Sequence, residues 1–179
     1  MNTENQLAIE PRGDASILTI LQATLSAGVT SDNADALGKI LDVYERMEAK
    51  KAERAFVADS IALQLEIPKV KATRSIPDKH GNVRSTFAPF EEIDSQLRPL
   101  ALKHWFTYTF SEGEPQQGRI CKVCVVQHRE GHLRRNSYST RIGQVPPGCS
   151  ESHADGSAHS YAKRGALCDA FNIVVTLMD

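Results

Sequence analysis

The chain has 179 residues, a composition ordinary for a globular protein and a formal net charge of −1 at pH 7. That length suits one domain that can bury a sizeable core. The charge is unevenly divided: residues 1–60 carry 6 basic and 10 acidic side chains, residues 61–141 carry 13 and 8, and residues 142–179 carry 2 and 4. An acidic front beside a basic middle excludes a uniformly basic protein and predicts a local anionic partner.

The sequence favours a cytoplasmic protein with free thiols. Its first residues, MNTENQLAIEPRG, are polar and lack the basic and apolar regions of a secretory leader. The longest apolar run, FNIVVTLM, is far shorter than the roughly 18 residues that a membrane helix needs. We therefore expect no membrane partner, and we expect the four cysteines to be reduced.

The first third of the chain is predicted to be helical after a disordered start at residues 1–13. Residues 15–29 carry apolar side chains at helical spacing, and a second apolar stripe covers residues 37–47. The charged stretch ERMEAKKAER leaves open whether that helix continues or is jointed. A third helical segment, residues 52–66, is expected to stop ahead of Pro68, because the residue before a proline disfavours the helical conformation.

Strand and turn signals begin at residue 69. Residues 69–76 predict a strand, PDKHGN predicts a turn in which Gly81 takes a positive φ, and residues 83–87 predict the returning strand. Residues 89–104 predict a helix. Pro99 lies within that helix and is expected to kink or end it.

A hairpin and a final helix complete the predicted elements. WFTYTF is rich in β-forming residues, and RICKVCVVQH and LRRNSYSTRI flank the turn REGH as a hairpin. The loop GQVPPGCSESHADG precedes a helix that is expected to begin near Ser157. After the N-terminal helices the order is ββ-α-βββ-α, which predicts an α+β fold with an antiparallel sheet backed by helices.

The final helix, within GSAHSYAKRGALCDAFNIVV, places two cations side by side. At about 100° per residue, Lys163 and Arg164 lie opposite a face of mostly small residues and straddle a stripe through Leu167 and Phe171. The small face is predicted to consist of Ala158, Tyr161, Ala162, Gly165, Ala166 and Cys168. Either the cations lie along apolar surface with their heads in water, or they are aimed at phosphates. The spacing does not choose between these interpretations.

Four segments resemble the ERF (essential recombination function) family of phage single-strand annealing proteins. GSAHSYAKRGALCDAFNI is similar to the family's most specific motif, and AERAFVADSIALQLEIPKVKATRSI is similar to a helix running into its IPKV strand. STFAPFEEIDSQLRPLALKHWF and the turn HREGH follow in the family's order. The resemblance covers about residues 52–179 and departs from the family at Gly165, where relatives usually carry a large aromatic.

The resemblance implies ATP-independent annealing of complementary single strands during phage recombination, with no cofactor. It implies a fold similar to the ring-forming eukaryotic strand-annealing mediator and, more distantly, to RecT and lambda Bet. Lys163 and Arg164 look similar to a pair that contacts the DNA backbone in the eukaryotic relative. The expected partners are single-stranded DNA, the annealed duplex intermediate, further copies of the chain, and a phage exonuclease or host single-strand-binding protein. Residues 52–179 would form the annealing core and residues 14–51 an oligomerisation segment, in the cytoplasm of a bacterial host.

The basic middle supplies further candidates for DNA contact. Strand alternation puts Lys69, Lys71 and Thr73 on one face of the first strand, opposite Val70, Ala72 and Ile76. A charged edge strand that discourages aggregation explains such a pattern as well as a basic groove does, and in a groove Tyr138 or Phe87 could stack on bases. On the later hairpin, Arg134 shares a face with Tyr138, and Arg135 shares the other with Arg141. The predicted DNA-binding residues are Lys163, Arg164, Lys69, Lys71, Arg84, Arg134, Arg135, Tyr138 and Arg141.

Two other classes of protein compete with an annealing protein. A metal-dependent nuclease would use Glu91, Glu92 and Asp94, although acids are favoured early in a helix for other reasons. A phage accessory or structural protein would use its basic patch to bind another protein. Cys121 and Cys124 are three apart in a strand and point to opposite faces, so we expect no metal site there, and the sequence has no P-loop.

Overall fold

The computed structural model describes residues 13–26, 28, 30–78, 80–114, 117–143 and 150–177. Of the predicted disordered start, residues 1–13, only Gly13 is described, and it is helical; residues 1–12 and the thiol of Cys149 lie outside the described residues. The chain divides into two compact units, Met1–Lys51 and Ala52–Asp179. The second unit contains all the strands of the described residues.

The described elements are two helices followed by groups of strands that are separated by two further helices. In chain order they are α1 (Gly13–Ser26), α2 (Ser31–Glu66), β1 (Val70–Lys71), β2 (Arg74–Pro77), β3 (Val83–Phe87), α3 (Phe90–Lys103), β4 (Phe106–Glu112), β5 (Arg119–His128), β6 (Leu133–Arg141), α4 (Glu151–Phe171) and β7 (Val175–Thr176). Strands β2 and β3 form a hairpin, β4, β5 and β6 form an antiparallel sheet, and β1 pairs in parallel with β7. The predicted α+β class is confirmed.

The predicted strand 69–76 is wrong as a single element, because the chain changes partner inside it. Ala72 donates its N–H to the carbonyl of Thr176 in β7, whereas the next residue, Thr73, donates to Phe87 in β3. Val70 and Ala72 are buried as the alternation predicted, but Ile76 lies beyond the change of partner and is 38% exposed.

One predicted helix boundary is right and another is wrong. Helix α3 matches the predicted residues 89–104 to within one residue at each end, and Pro99 does not end it, since the helix continues to Lys103 with Leu97 and Ala101 buried on either side of the proline. Helix α4 begins at Glu151 rather than near Ser157, because Ser150 takes an extended N-cap conformation and the polar residues after it are helical. The charged stretch within residues 45–54 continues helix α2 without a joint.

Helix α4 packs on strands β5 and β6 through alanines spaced four residues apart. These alanines, which allow the helix backbone to approach the sheet closely, are Ala154, Ala158, Ala162, Ala166 and Ala170. Leu167 and Phe171 are also buried, although we placed them on the cationic side, and Tyr161 is 47% exposed, although we placed it on the small face. The buried surface of α4 therefore extends further around the helix than its sequence predicted.

Helix α3 is tied to β4 through the carboxylate of Asp94. The Asp94 carboxylate accepts two hydrogen bonds from Arg98, at 2.9 and 2.7 Å, and one of 2.8 Å from the hydroxyl of Tyr108. Burial acts to raise the pKa of Asp94, but these hydrogen bonds outweigh it and hold the pKa below its ordinary value. The charged carboxylate therefore stabilises the folded state.

We expect Asp94→Asn to lower the free energy of unfolding at pH 7 by about 1–3 kcal/mol. Because the folded-state pKa is depressed, this stabilisation is present above the unfolded pKa of about 3.9 and is lost as the pH falls through the folded-state value. Urea unfolding between pH 2 and pH 7 should therefore show a flatter pH dependence for the variant at the acid end. The exposed Glu114 provides a control, since Glu114→Gln should change neither quantity, and equal slopes for Asp94→Asn and wild type would contradict the assignment.

Candidate nucleic-acid interface

Two adjoining grooves lie between the β2–β3 hairpin and helix α4. The first groove has a volume of about 550 Å³ and the second, which reaches the end of β6, about 510 Å³. They share four lining residues, namely Ile76, His153, Ser157 and Tyr161. We call the two grooves together the hairpin channel.

Arg164 forms part of the wall of the first groove and is held by aromatic rings. Its guanidinium carbon lies 4.9 Å from the ring centre of Phe87 and 4.7 Å from that of Tyr161. One guanidinium nitrogen donates to the carbonyl of Ala88 at 3.3 Å. A planar guanidinium is stabilised by contact with aromatic rings. The guanidinium has five N–H donors, and the hydrogen bond to Ala88 uses only one of them. The side chain is therefore fixed in direction and retains donors for an anion.

Lys163, the neighbouring cation, points elsewhere. Its ammonium nitrogen lies 4.1 Å from the ring centre of Phe90 and 5.0 Å from that of Phe110, and it lines neither groove. Both cations thus lie against apolar surface, but their charged groups sit over aromatic rings and both side chains are half-buried, whereas the first interpretation placed these groups in water. Only Arg164 also lines a groove, as the second interpretation, contact with phosphates, requires.

Gly165 allows Tyr138 of β6 to pack directly on helix α4. A Cβ atom at residue 165 would lie 2.6 Å from two carbons of the Tyr138 ring and 2.7 Å from a third. The ring centres of Tyr138 and Tyr161 are 6.1 Å apart. Burial, and then a hydrogen bond with Tyr161, raises the pKa of Tyr138. The aromatic ring that the resemblance places on the helix is thus supplied by the adjacent strand.

The whole of residues 58–179 matches the family model described as the ERF superfamily. The chain belongs to the ERF superfamily. This membership connects it, at the level of the family, with single-strand annealing and recombination. No curated protein and no solved structure matches the chain. Within the described residues, no helix combines the length and apolarity needed to cross a bilayer.

Three of the predicted DNA-binding residues of this ERF protein line the hairpin channel. Arg164 lies in the first groove, and Arg84 and Arg141 lie in the second. Arg74, which we did not predict, lines the first groove. The sequence held a signal for it, because Arg74 lies in the predicted strand 69–76, whose returning strand holds Phe87, a residue predicted to stack on bases; in the structure the two residues pair in register.

The other predicted residues lie outside the channel. Lys69 and Lys71 are exposed beside the short β1–β7 ladder. Arg134 donates to the carbonyl of Ala170 at 2.6 Å, where a cation favours the C-terminal end of α4. Its guanidinium also lies 5.3 Å from the ring centre of Phe56. One side of the Tyr138 ring is covered by α4, and Arg135 belongs to the opposite face of the sheet.

The acidic residues of α3 do not converge on one point. Glu91 lines the first groove, Glu92 accepts a 2.6 Å hydrogen bond from Thr73, and Asp94 is paired with Arg98 and Tyr108. No group of three or more metal-ligating side chains is arranged to hold an ion within the described ranges. In β5, Cys124 is buried, which raises its pKa to about 12, whereas Cys121 is only half-buried.

Proposed function

We propose that this ERF protein binds single-stranded DNA in the hairpin channel and anneals complementary strands without ATP. The observation that carries the proposal is the clamped guanidinium of Arg164 in the wall of the first groove. Arg74 joins it there, and Arg84 and Arg141 continue the positive charge into the second groove. Phosphates are bound chiefly by such side chains.

The lining of the channel suits a single strand bound without regard to sequence. The rings of Phe87 and Tyr161 offer surfaces on which any base can stack. Ser157 and Ser160 add hydroxyls that can donate to phosphate oxygens. Among the residues that line the first groove, Glu91 is the single acid. A protein that must let any two complementary strands pair needs this tolerance.

The proposal includes self-association and its cellular setting. Copies of the chain would form a ring or filament that holds the strand and the annealed duplex intermediate, in the cytoplasm of a bacterial host during phage recombination. The first unit exposes apolar side chains suited to such contacts, among them Leu41, Val43 and Met47. A phage exonuclease would supply the single strands, or a host single-strand-binding protein would deliver them.

Annealing of two complementary labelled oligonucleotides, without ATP or Mg²⁺, tests the proposal. We expect wild type to accelerate annealing, the double variant Lys163→Ala/Arg164→Ala to lose this activity, and Arg164→Gln alone to account for most of the loss. The salt dependence of single-strand binding, plotted as log K against log salt, should have a slope smaller by about 0.7 for each phosphate contact removed.

The matched control is Arg54→Gln, which removes an exposed cation from α2 and should leave annealing unchanged. Circular dichroism establishes that each variant is folded. A wild-type protein that neither binds nor anneals single strands would favour the accessory-protein alternative. The nuclease alternative instead requires Mg²⁺-dependent cleavage that disappears with Glu91 or Asp94, but both oxygens of Asp94 already accept hydrogen bonds from Arg98 and Tyr108.

A further inference from the structure

The β4–β5–β6 sheet has one covered and one open face. Its even-numbered residues face α4, and Phe106, Cys124 and Val126 among them are buried. Not one odd-numbered residue of these three strands is buried, so no described element covers that side. We call the side formed by these odd-numbered residues the open face.

The open face is basic and carries no opposing charge of its own. Its charged residues are Arg119, Arg135 and Arg141, and its remaining positions hold hydroxyl, aliphatic, thiol and amide side chains. Within the described residues, no carboxylate lies within ion-pair distance of any of these arginines. Arg119 instead donates to the hydroxyl and the carbonyl of Ser139, at 2.9–3.2 Å and 3.0 Å. Those hydrogen bonds fix the direction of the Arg119 side chain but leave its positive charge without a counter-charge.

Two of these cations stand directly opposite each other. Arg119 on β5 pairs in register with Arg141 on β6, and like charges in that arrangement repel and destabilise the strand pair. A bound polyanion between or above them converts the repulsion into an attraction. The arrangement therefore favours an anionic occupant of the open face.

The open face and the hairpin channel share one residue, Arg141. Arg141 ends β6 and also lines the second groove. From Arg141 the strand runs six residues to Arg135, a distance of roughly 20 Å at the usual rise per residue. A chain of phosphates that leaves the channel at Arg141 therefore meets Arg119 and then Arg135.

We propose that single-stranded DNA leaves the hairpin channel at Arg141 and crosses the open face with its phosphates at Arg119 and Arg135. This rests on the proposed function and adds a second part to the binding path. The odd-numbered positions of the three strands include no aromatic residue, so the face binds backbone and provides no ring to stack on bases. The channel holds one part of the DNA strand, and the open face binds the backbone of the next part, whose bases are then free to pair with the complementary strand.

A length series of oligothymidylates separates the two parts of the path. We expect Arg135→Gln to weaken binding of long oligonucleotides, with a salt slope smaller by about 0.7, and to leave the shortest bound oligonucleotides unaffected. Arg164→Gln should weaken binding at every length. Arg135→Gln should also slow annealing. Arg54→Gln, which removes an exposed cation of α2 that belongs to neither part of the path, is the control and should change none of these quantities.

Two results would overturn the inference while the proposed function stands, and a third would overturn the proposed function itself. If Arg135→Gln and Arg119→Gln leave both the length dependence and the salt slope at wild-type values while Arg164→Gln weakens binding, the open face does not bind DNA and the channel still does. If Arg135→Gln weakens short and long oligonucleotides equally, its role is not that of an extension. If wild type binds no oligonucleotide, the function itself is wrong, and the basic face belongs to an acidic protein partner.

Discussion

Gly165→Ala is expected to destabilise the protein, although the same exchange normally strengthens a helix. Alanine in place of glycine inside a helix contributes about 1 kcal/mol of stability. At residue 165 the new methyl group would lie 2.6–2.7 Å from three carbons of the Tyr138 ring. Moving that ring costs about 1–3 kcal/mol, as extra atoms in a packed site generally do. The expected sign of the change, measured by thermal or urea unfolding, is therefore opposite to that of helix propensity.

Gly156→Ala is the matched control within the same helix. No heavy atom lies within 4 Å of a Cβ built at residue 156, so this exchange should stabilise the protein by about 1 kcal/mol. Tyr138→Ala, combined with Gly165→Phe, should restore part of what each single variant loses, because an aromatic ring again fills the space between α4 and β6. Coupling of about 0.5–3 kcal/mol is typical of residues in contact. Additive losses, or a stabilising Gly165→Ala, would contradict the packing described.

The same exchange bears on the wall of the first groove through neighbouring rings. The ring of Tyr138 lies 6.1 Å from that of Tyr161, and the guanidinium carbon of Arg164 lies 4.7 Å from the ring centre of Tyr161. Displacement of Tyr138 is therefore expected to reach the wall of the first groove. A large aromatic at residue 165 would need a smaller residue at position 138 to leave Arg164 in place.

Local pattern was sufficient to predict most elements of the second unit. Turn residues predicted the β5–β6 hairpin, and strand alternation placed Arg134 and Arg135 on opposite faces of β6. The start of α4 was missed because the residues after Ser150 are polar and their helical conformation depends on Ala154 being buried against the sheet. The change of partner after Ala72 was missed because it depends on β7, about a hundred residues away.

Contacts between distant parts of the chain also limited the prediction of the candidate site. The sequence could place Lys163 and Arg164 on one helix, but it could not predict that the two side chains contact different aromatic rings. The guanidinium of Arg164 lies over the ring of Phe87, whereas the ammonium of Lys163 lies over the ring of Phe90. Both rings come from a distant part of the chain. Arg134 was likewise recognisable as a cation, but its role at the end of α4 depends on which carbonyl the fold brings to it.

The core of the second unit extends beyond the region that matches the family. The match begins at residue 58, yet Phe56 is 3% exposed and belongs to the same buried cluster as Leu63 and Phe106. Its ring centre lies 5.2 Å from that of Phe106 and 4.8 Å from that of His132. Helix α2 is thereby joined to one end of the β4–β5–β6 sheet, where β4 and β6 begin and β5 ends.

Phe56→Ala should therefore be among the most damaging single substitutions, lowering the free energy of unfolding by about 3–5 kcal/mol. The adjacent Val57 is 51% exposed, so Val57→Ala should cost no more than about 0.5 kcal/mol. Urea unfolding of the full chain, followed by circular dichroism, compares the two variants directly. A small loss for Phe56→Ala would mean that α2 is not part of the cooperative core, and that core would then begin near the boundary of the family match. A large loss means that any fragment used for DNA binding must retain residues 52–57 to fold as the whole chain does.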